Sequence, residues 1–500
     1  MNKLTIKTFI TILIGTLISV GVVTVACTRS ASDQPPQPAI EEKVAPAPQA
    51  ATAAEKKQLL EVKLQPAKAK VGNEVQATAA GLTPGSAVEL IWETVTGGWV
   101  IEGYYQFKGK QYKEASQSLG KGTVGSDGRL LMKFTAPEDY GGIHNVIVSA
   151  DGQKLAQGAF DLTQSFEMFP TEGPVGTPIE IRVKGLGHQK FESTWVVNWD
   201  NQIVGWVSAA GTKGSAVARF RATGPAGDHP IKVYTGWAGQ TYLNFEQSST
   251  GYLPRPDFVF RTTPGPAPKS AFAEPYVPQQ VPAPEVVTPG AKLELSSKQG
   301  PVGSAVQLKG SGFAPNKPVS LVWETWVGNR IASAGYAPKQ SELKAVTTGP
   351  DGSLNVPLSI PDDLGGLHSL TLKSGDEALG TVYYAIETSI VSITPASGPV
   401  GTPITIHLKG VGWTEYDNIL IANYDNAYMG YACGFNSQGD VVINFVASGA
   451  PGVHLIDLYP GIYQGPPEFS HLLRLPQLTY ADDHPGNKIP ALRFAFEVTK

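Results

Sequence analysis

The sequence predicts an all-β chain of four tandem β-sandwiches arranged as two duplicated pairs. The first observation behind this is a repeat. Trp92-Glu93-Thr94 returns as Trp323-Glu324-Thr325. Pro137-Glu138-Asp139-Tyr140-Gly141-Gly142-Ile143-His144 returns as Pro361-Asp362-Asp363-Leu364-Gly365-Gly366-Leu367-His368. Gly173-Pro174-Val175-Gly176-Thr177-Pro178-Ile179 returns as Gly398-Pro399-Val400-Gly401-Thr402-Pro403-Ile404. Two versions of one unit therefore occupy 62–263 and 291–500. The second observation is period-two alternation, as in Val88, Leu90 and Trp92 or Leu130, Met132 and Phe134, with turn signals about every 8–12 residues. The third is composition: 55 Gly and 40 Pro with only 16% charged residues argue against long helices.

At the N-terminus, Lys3 and Lys7 precede an uncharged apolar run from Phe9 to Cys27, a positive segment followed by a hydrophobic one. The run ends in Thr24-Val25-Ala26-Cys27, which resembles the lipobox of bacterial lipoproteins, although Thr24 stands where that family usually has an aliphatic residue. The resemblance implies that 1–27 is a signal peptide and that Cys27 is lipidated. Left uncleaved, the run is close to the ~20 apolar residues that span a bilayer, and the two lysines would hold the N-terminus inside. Both readings attach 28–500 to the lipid bilayer on the outer side of a bacterial membrane. The only other cysteine, Cys433, then has no intrachain disulfide partner and reads as a small buried strand residue.

Residues 28–58, rich in Ala, Pro and Gln, lack the apolar content to fold and read as a stalk. As a flexible chain such a stalk spans roughly 30 Å, or up to ~100 Å as polyproline II. The first sandwich is expected over 59–164, where Asp127-Gly128 marks a tight turn. The second covers 165–263, the Pro-rich linker 264–290 is a semi-rigid spacer, and the third and fourth cover 291–387 and 388–500. The run from Ile393 through Gly398-Pro399-Val400-Gly401-Thr402-Pro403-Ile404 to Gly412-Trp413 resembles the opening of an IPT/TIG domain, as do Gly173 to Ile181 and Gln299 to Phe313. The resemblance implies immunoglobulin-like sandwiches. It covers the first two strands of each module best, least well in the first, and implies fold more than function. Each even-numbered module ends in a last strand reached through a long loop. The one from Tyr463 to Pro490 exceeds what compact domains usually tolerate.

Several residues invite a chemical reading. His144, His229, His368 and His454 occupy matching places, one per module. No His or Cys stands at zinc-ligand spacing, so they read as strand-entry histidines that bond the neighbouring turn. Asn198-Trp199-Asp200-Asn201 and Asn423-Tyr424-Asp425-Asn426 suit a hairpin turn, and no acidic calcium loop is present. Glu138 with Asp139, and Asp362 with Asp363, are sequence neighbours and do not converge as a catalytic pair. Trp92 and Trp323 suit the buried strand tryptophan of an immunoglobulin-like core. No nucleophile elbow, P-loop or His-Glu-x-x-His occurs.

Binding candidates lie where the copies differ. Trp99, Tyr104, Tyr105, Phe107 and Tyr112, interleaved with Lys108, Lys110 and Lys113, would stack on sugar rings or form a protein hot spot. The same rings could instead pack across a long hairpin. A net charge of −4 leaves no basic footprint for nucleic acid. The expected function is therefore non-catalytic, with no metal or cofactor: an envelope lipoprotein serving adhesion, scaffolding or binding of a protein partner. The alternative is an accessory lipoprotein that binds polysaccharide. An extracellular hydrolase would have to draw on His471, Asp482, Asp483 and His484 of the last long loop.

Overall fold

Along the strand Glu74–Ala80, Val75, Ala77 and Ala79 are buried and the residues between them are not. This is the pattern of a sheet with one covered face. It recurs in Pro178–Lys184, Ala305–Ser311 and Pro403–Lys409. The computed structural model describes residues 59–500, except 104–105, 237–240, 329–334, 435–436, 463–473 and 487. The fold is all-β. Among the described residues the helical pieces are the four-residue helix Tyr480–Asp483, the 3-10 turn Phe245–Gln247 and a single 3-10 residue at Arg474. None of these residues lies in a helix long and apolar enough to cross a membrane. Cys27 and the stalk lie outside the described residues.

The strands fall into four sheet sets. In the first, Leu60–Gln65 runs parallel to Gln153–Thr163 and antiparallel to Glu74–Ala80, joining both layers into one eight-stranded sheet. Its long hairpin, Ala87–Glu102 with Gln106–Thr123, forms one edge. In the second set a three-stranded sheet (Ser165–Phe169, Pro178–Lys184, Ala216–Arg221) packs on a five-stranded one whose edge is Gln202–Ser208. The fourth set has the same plan: Ser389–Thr394, Pro403–Lys409 and Val441–Val446 lie against a sheet whose edge is Ala427–Cys433. The third set pairs Lys292–Leu295, Ala305–Ser311 and Leu354–Ser359 with a sheet edged by Tyr336–Thr347.

Each set encloses an apolar cluster. Trp92 packs with Leu90, Phe134 and Phe160; Trp323 with Leu321, Leu372 and Tyr384; Phe494 with Ile406 and Leu420. Burying side chains of this kind stabilises by about 1.5–3 kcal/mol each. The cluster around Trp195 and Trp199 also takes in Tyr459, Leu478, Tyr480 and Ala491, so the second and fourth sets share a seam.

The Asx turns adopt the left-handed backbone of a tight hairpin: φ is 49° and 66° at Asp200 and Asn201, and 48° and 65° at Asp425 and Asn426. The linker departs from the spacer expected of it. Ala271–Ala273 adds a strand to Leu492–Val498, and Glu285–Val286 adds one to Glu377–Glu387. Proline excludes it from central strands but leaves edge positions open.

Candidate functional site

The repeated Trp, Asp and His residues bond within their own sheet sets, while Asp363 also accepts from Gln438, and the amides of Asn423 and Asn426 donate across to the Val204 and Arg221 carbonyls at 2.8 Å. The indole Nε1 of Trp92 donates to Asp139 Oδ2 at 2.8 Å, and that of Trp323 to Asp363 Oδ2 at 2.8 Å. His144 and His368 stack on those indoles with ring centroids 4.2 and 4.8 Å apart. Their Nε2 atoms face the carbonyl oxygens of Tyr140 and Leu364 at 2.6 and 2.8 Å. His229 and His454 stack likewise on Trp199 and Tyr424, and their Nε2 atoms face the carbonyls of Pro225 and Ala450. All four histidines thus bond the turn four residues upstream. Asp200 and Asp425 reach Nδ1 of His229 and His454 at 2.6 and 2.5 Å, tying each Asx turn to its histidine. Among the described residues no three His, Cys, Asp or Glu side chains converge as a metal site.

The aromatic hairpin is turned toward the rest of the chain. Phe107 is 2% exposed and clusters with Tyr416 and Ile462, with Trp99 packed alongside. Its N–H donates to Glu415 Oε2 at 2.7 Å. Trp99 meets Phe107 at 5.6 Å and stands edge-on to Trp206 at 6.3 Å. Tyr112 lies edge-on to both Tyr140 and His188. Lys110 Nζ donates to Ser193 Oγ at 2.5 Å, and burial pulls its ammonium down to about 8. The expected ligand platform is therefore occupied from within: Trp99, Phe107 and Tyr112 bind the second and fourth sheet sets. Tyr104 and Tyr105 lie outside the described residues.

The densest polar constellation lies in the seam. Arg221 Nη2 donates to Asp457 Oδ1 at 2.5 Å and to the Phe494 carbonyl at 2.8 Å. Arg493 lies 3.4 Å from the other Asp457 oxygen and donates through Nε and Nη2 to Glu274 Oε1 at 2.9 and 2.7 Å. The Tyr480 hydroxyl donates to the second Glu274 oxygen. Burial works against the Arg493 charge, but Tyr459, Asp457, Tyr480 and Glu274 outweigh it and hold the guanidinium protonated. Two cations and two anions balance here. The Arg221, Asp457 and Arg493 side chains are only 2%, 2% and 1% exposed, so these charges fasten the second sheet set to the fourth.

The described part of the last loop closes this seam as a clasp. The Trp206 N–H donates to the Pro476 carbonyl, and the Leu478 N–H to the Trp206 carbonyl, both at 2.8 Å. The Arg219 N–H donates to the Leu478 carbonyl at 2.8 Å, so one segment bridges both edges of the second set. Asp482 accepts from the Val217 N–H at 2.7 Å and from Arg219. Asp483 accepts from Ser208 Oγ and from the Ala210 and Gly211 N–H groups at 2.6, 2.9 and 2.7 Å. Burial raises the Asp483 carboxyl above its usual range, and these donors oppose the shift. His484 is buried beside them, and His471 lies outside the described residues. The acids weighed for hydrolysis thus cap backbone N–H groups of another module.

Sequence reasoning missed Arg221, Asp457, Arg493 and Glu274, which stand far apart in the chain. It also passed over the aromatics that do face solvent. Phe191, Tyr242 and Tyr252 are exposed on the second set, and Tyr252 donates to Glu192 at 2.6 Å.

No family model matches the chain, and no curated protein matches it significantly. Among solved structures, it is similar to invasin, a bacterial integrin-binding protein, at 10% identity over 88% of this chain and 79% of that one, with a TM-score of 0.19. It is similar to Salmonella alpha-2-macroglobulin at 9% identity over 89% of this chain, with a TM-score of 0.17, and spans 31% of that protein's length. A putative membrane anchored protein from Corynebacterium diphtheriae matches at 10% identity over 65% of this chain and 91% of that one, TM-score 0.18.

Proposed function

We propose that this chain is a non-catalytic envelope lipoprotein whose immunoglobulin-like sandwiches form a scaffold for binding a protein partner. One observation carries the reading. The charged and aromatic groups with chemical potential, Arg221, Asp457, Arg493, Asp483 and Phe107 among them, are spent on internal fastening. Fastening of this kind suits a rigid head more than a reaction centre. The lipid-bearing Cys27 and the stalk 28–58 would hold that head off the membrane. The test is a crosslinking pull-down with the full chain in lipid nanodiscs against the envelope proteins of its host. Specific, saturable partners support the scaffold; turnover of any envelope substrate by the purified chain overturns it.

A second reading, capture of polysaccharide, is favoured by the exposed rings of Tyr242 and Tyr252 on the second set, the latter bonded to Glu192. It predicts glycan-array retention that Tyr242→Ala and Tyr252→Ala abolish and Trp99→Ala leaves in place. Retention unchanged in all three variants sinks it.

A further inference from the structure

The second and fourth sheet sets share one plan but differ in what covers one end. In the second, the edges Gln202–Ser208 and Ala216–Arg221 are both capped by the clasp Leu475–Asp483. The equivalent edges of the fourth set are Ala427–Cys433 and Val441–Val446. Their registers match: Val196 pairs with Trp206 and Val197 with Gly205, just as Ile421 pairs with Tyr431 and Ala422 with Gly430. Each hairpin carries its irregularity one residue further on. The Tyr431 backbone therefore has the outward direction that Trp206 uses to bind the clasp.

Burial is opposite at matched positions. Val204 and Trp206 are 0% and 1% exposed, whereas Met429 and Tyr431 are 58% and 53% exposed. On the facing edge, Val442 and Val446 are 56% and 61% exposed. Neither strand carries a charged residue or a proline. Proteins usually protect open edges with lysine, proline or a cover. The other long hairpin edge here, Tyr336–Thr347, bears Lys339, Glu342 and Lys344. A head-to-tail donation, in which the fourth set caps the second, also leaves no donor segment paired to Met429, Tyr431, Val442 or Val446 from outside their own sheets among the described residues.

We propose that the edges Ala427–Cys433 and Val441–Val446 form a docking cleft for an extended, apolar segment of a partner protein, which enters as an added strand. The inference rests on the partner-binding reading and gives it a place. The occupant's chemistry follows from the filled copy. There, backbone pairing to Trp206 and apolar anchors at Leu475 and Leu478 are joined by the carboxylate of Asp482 on Arg219. In the open copy Asn444 stands at the Arg219 position, and no cation on these two strands asks for an acid. The segment should therefore be uncharged, with apolar residues at alternate positions.

The test is selection of a phage-displayed library of random nine-residue peptides on the full chain in nanodiscs. Peptides with alternate apolar residues should be enriched. Their binding should fall at least tenfold in Tyr431→Lys/Val442→Lys and in Val446→Lys, and stay unchanged in Leu131→Lys, an exposed edge change in the first set. Unaltered melting of each variant shows that the fold is intact. No enrichment, or equal binding to the lysine variants, overturns the cleft. So does concentration-dependent self-association that the same variants abolish, because a second copy would then be the occupant. If envelope partners are captured equally by wild type and by Tyr431→Lys/Val442→Lys, the cleft fails and the scaffold reading stands. If neither protein captures a partner, the scaffold reading itself fails.

Discussion

Arg221 and Asp457, 236 residues apart in sequence, meet at 2.5 Å with both side chains 2% exposed. Removing one buried partner strands the other's charge, at a cost of about 3–5 kcal/mol. Asp457 also faces Arg493, which keeps Glu274, so its loss strands Arg221 and removes one of the two anions beside Arg493. Asp457→Ala should therefore destabilise more than Arg221→Ala in urea unfolding. Equal and small shifts in both would show that the seam is not held by these charges.

Two repeated glycines make the junctions between odd and even sheet sets. A Cβ on Gly141 would lie 1.9 Å from the Gly185 carbonyl oxygen, and one on Gly365 would lie 2.0 Å from that of Gly410. Neither backbone can yield without parting the modules. A Cβ on Gly211 makes only ordinary contacts, the nearest at 3.4 Å. Gly141→Ala and Gly365→Ala should each lower the melting temperature by several degrees, while Gly211→Ala leaves it nearly unchanged. Three similar melting curves would refute the close-approach argument.

The parts of the fold legible in sequence are those set by local rules. Trp92 and Trp323 read as core because alternation carries them inward, and Asp200-Asn201 read as a turn because Asx residues tolerate positive φ. The aromatic hairpin was legible as a hairpin, but its target was not. Phe107 finds Tyr416 and Glu415 some 308 residues on, which no periodicity encodes. Glu274 looks like one more polar residue in a proline-rich linker until Arg493 and Tyr480 close on it. Long-range charge pairing leaves no local pattern, so the seam had to come from the structure.

His454 should make stability depend on pH. Its hydrogen bond to Asp425 raises its pKa above the ordinary value of 6.5, with burial opposing. A group whose pKa is raised on folding binds its proton more tightly in the native state. Its contribution is thus fully present below pH 6.5 and is lost as pH rises through the folded value. His188, whose pKa burial lowers, pulls the other way, so the quantity to read is a difference: the stability of wild type relative to Asp425→Asn should fall with pH between 5 and 8 in urea unfolding. Parallel profiles would sink the assignment.

Lys110 should act in the opposite sense at higher pH. Burial lowers its ammonium from 10.5 to about 8, with Asp483 opposing. Between those values the unfolded chain keeps a proton that the folded chain has released, so stability rises with pH in that window. The tyrosines held protonated by burial, Tyr140 among them at about 12, pull the other way once the unfolded phenols ionise near pH 10. The clean window is therefore about pH 8 to 9.5, and the clean quantity is a difference between proteins. Lys110→Met lacks the titrating group but keeps the tyrosines. The stability of wild type relative to Lys110→Met should climb steadily across that window in urea unfolding. A flat or falling difference would mean that the ammonium stays hydrated in the folded protein, and that the arm carrying Trp99 and Phe107 is less firmly seated than its contacts imply.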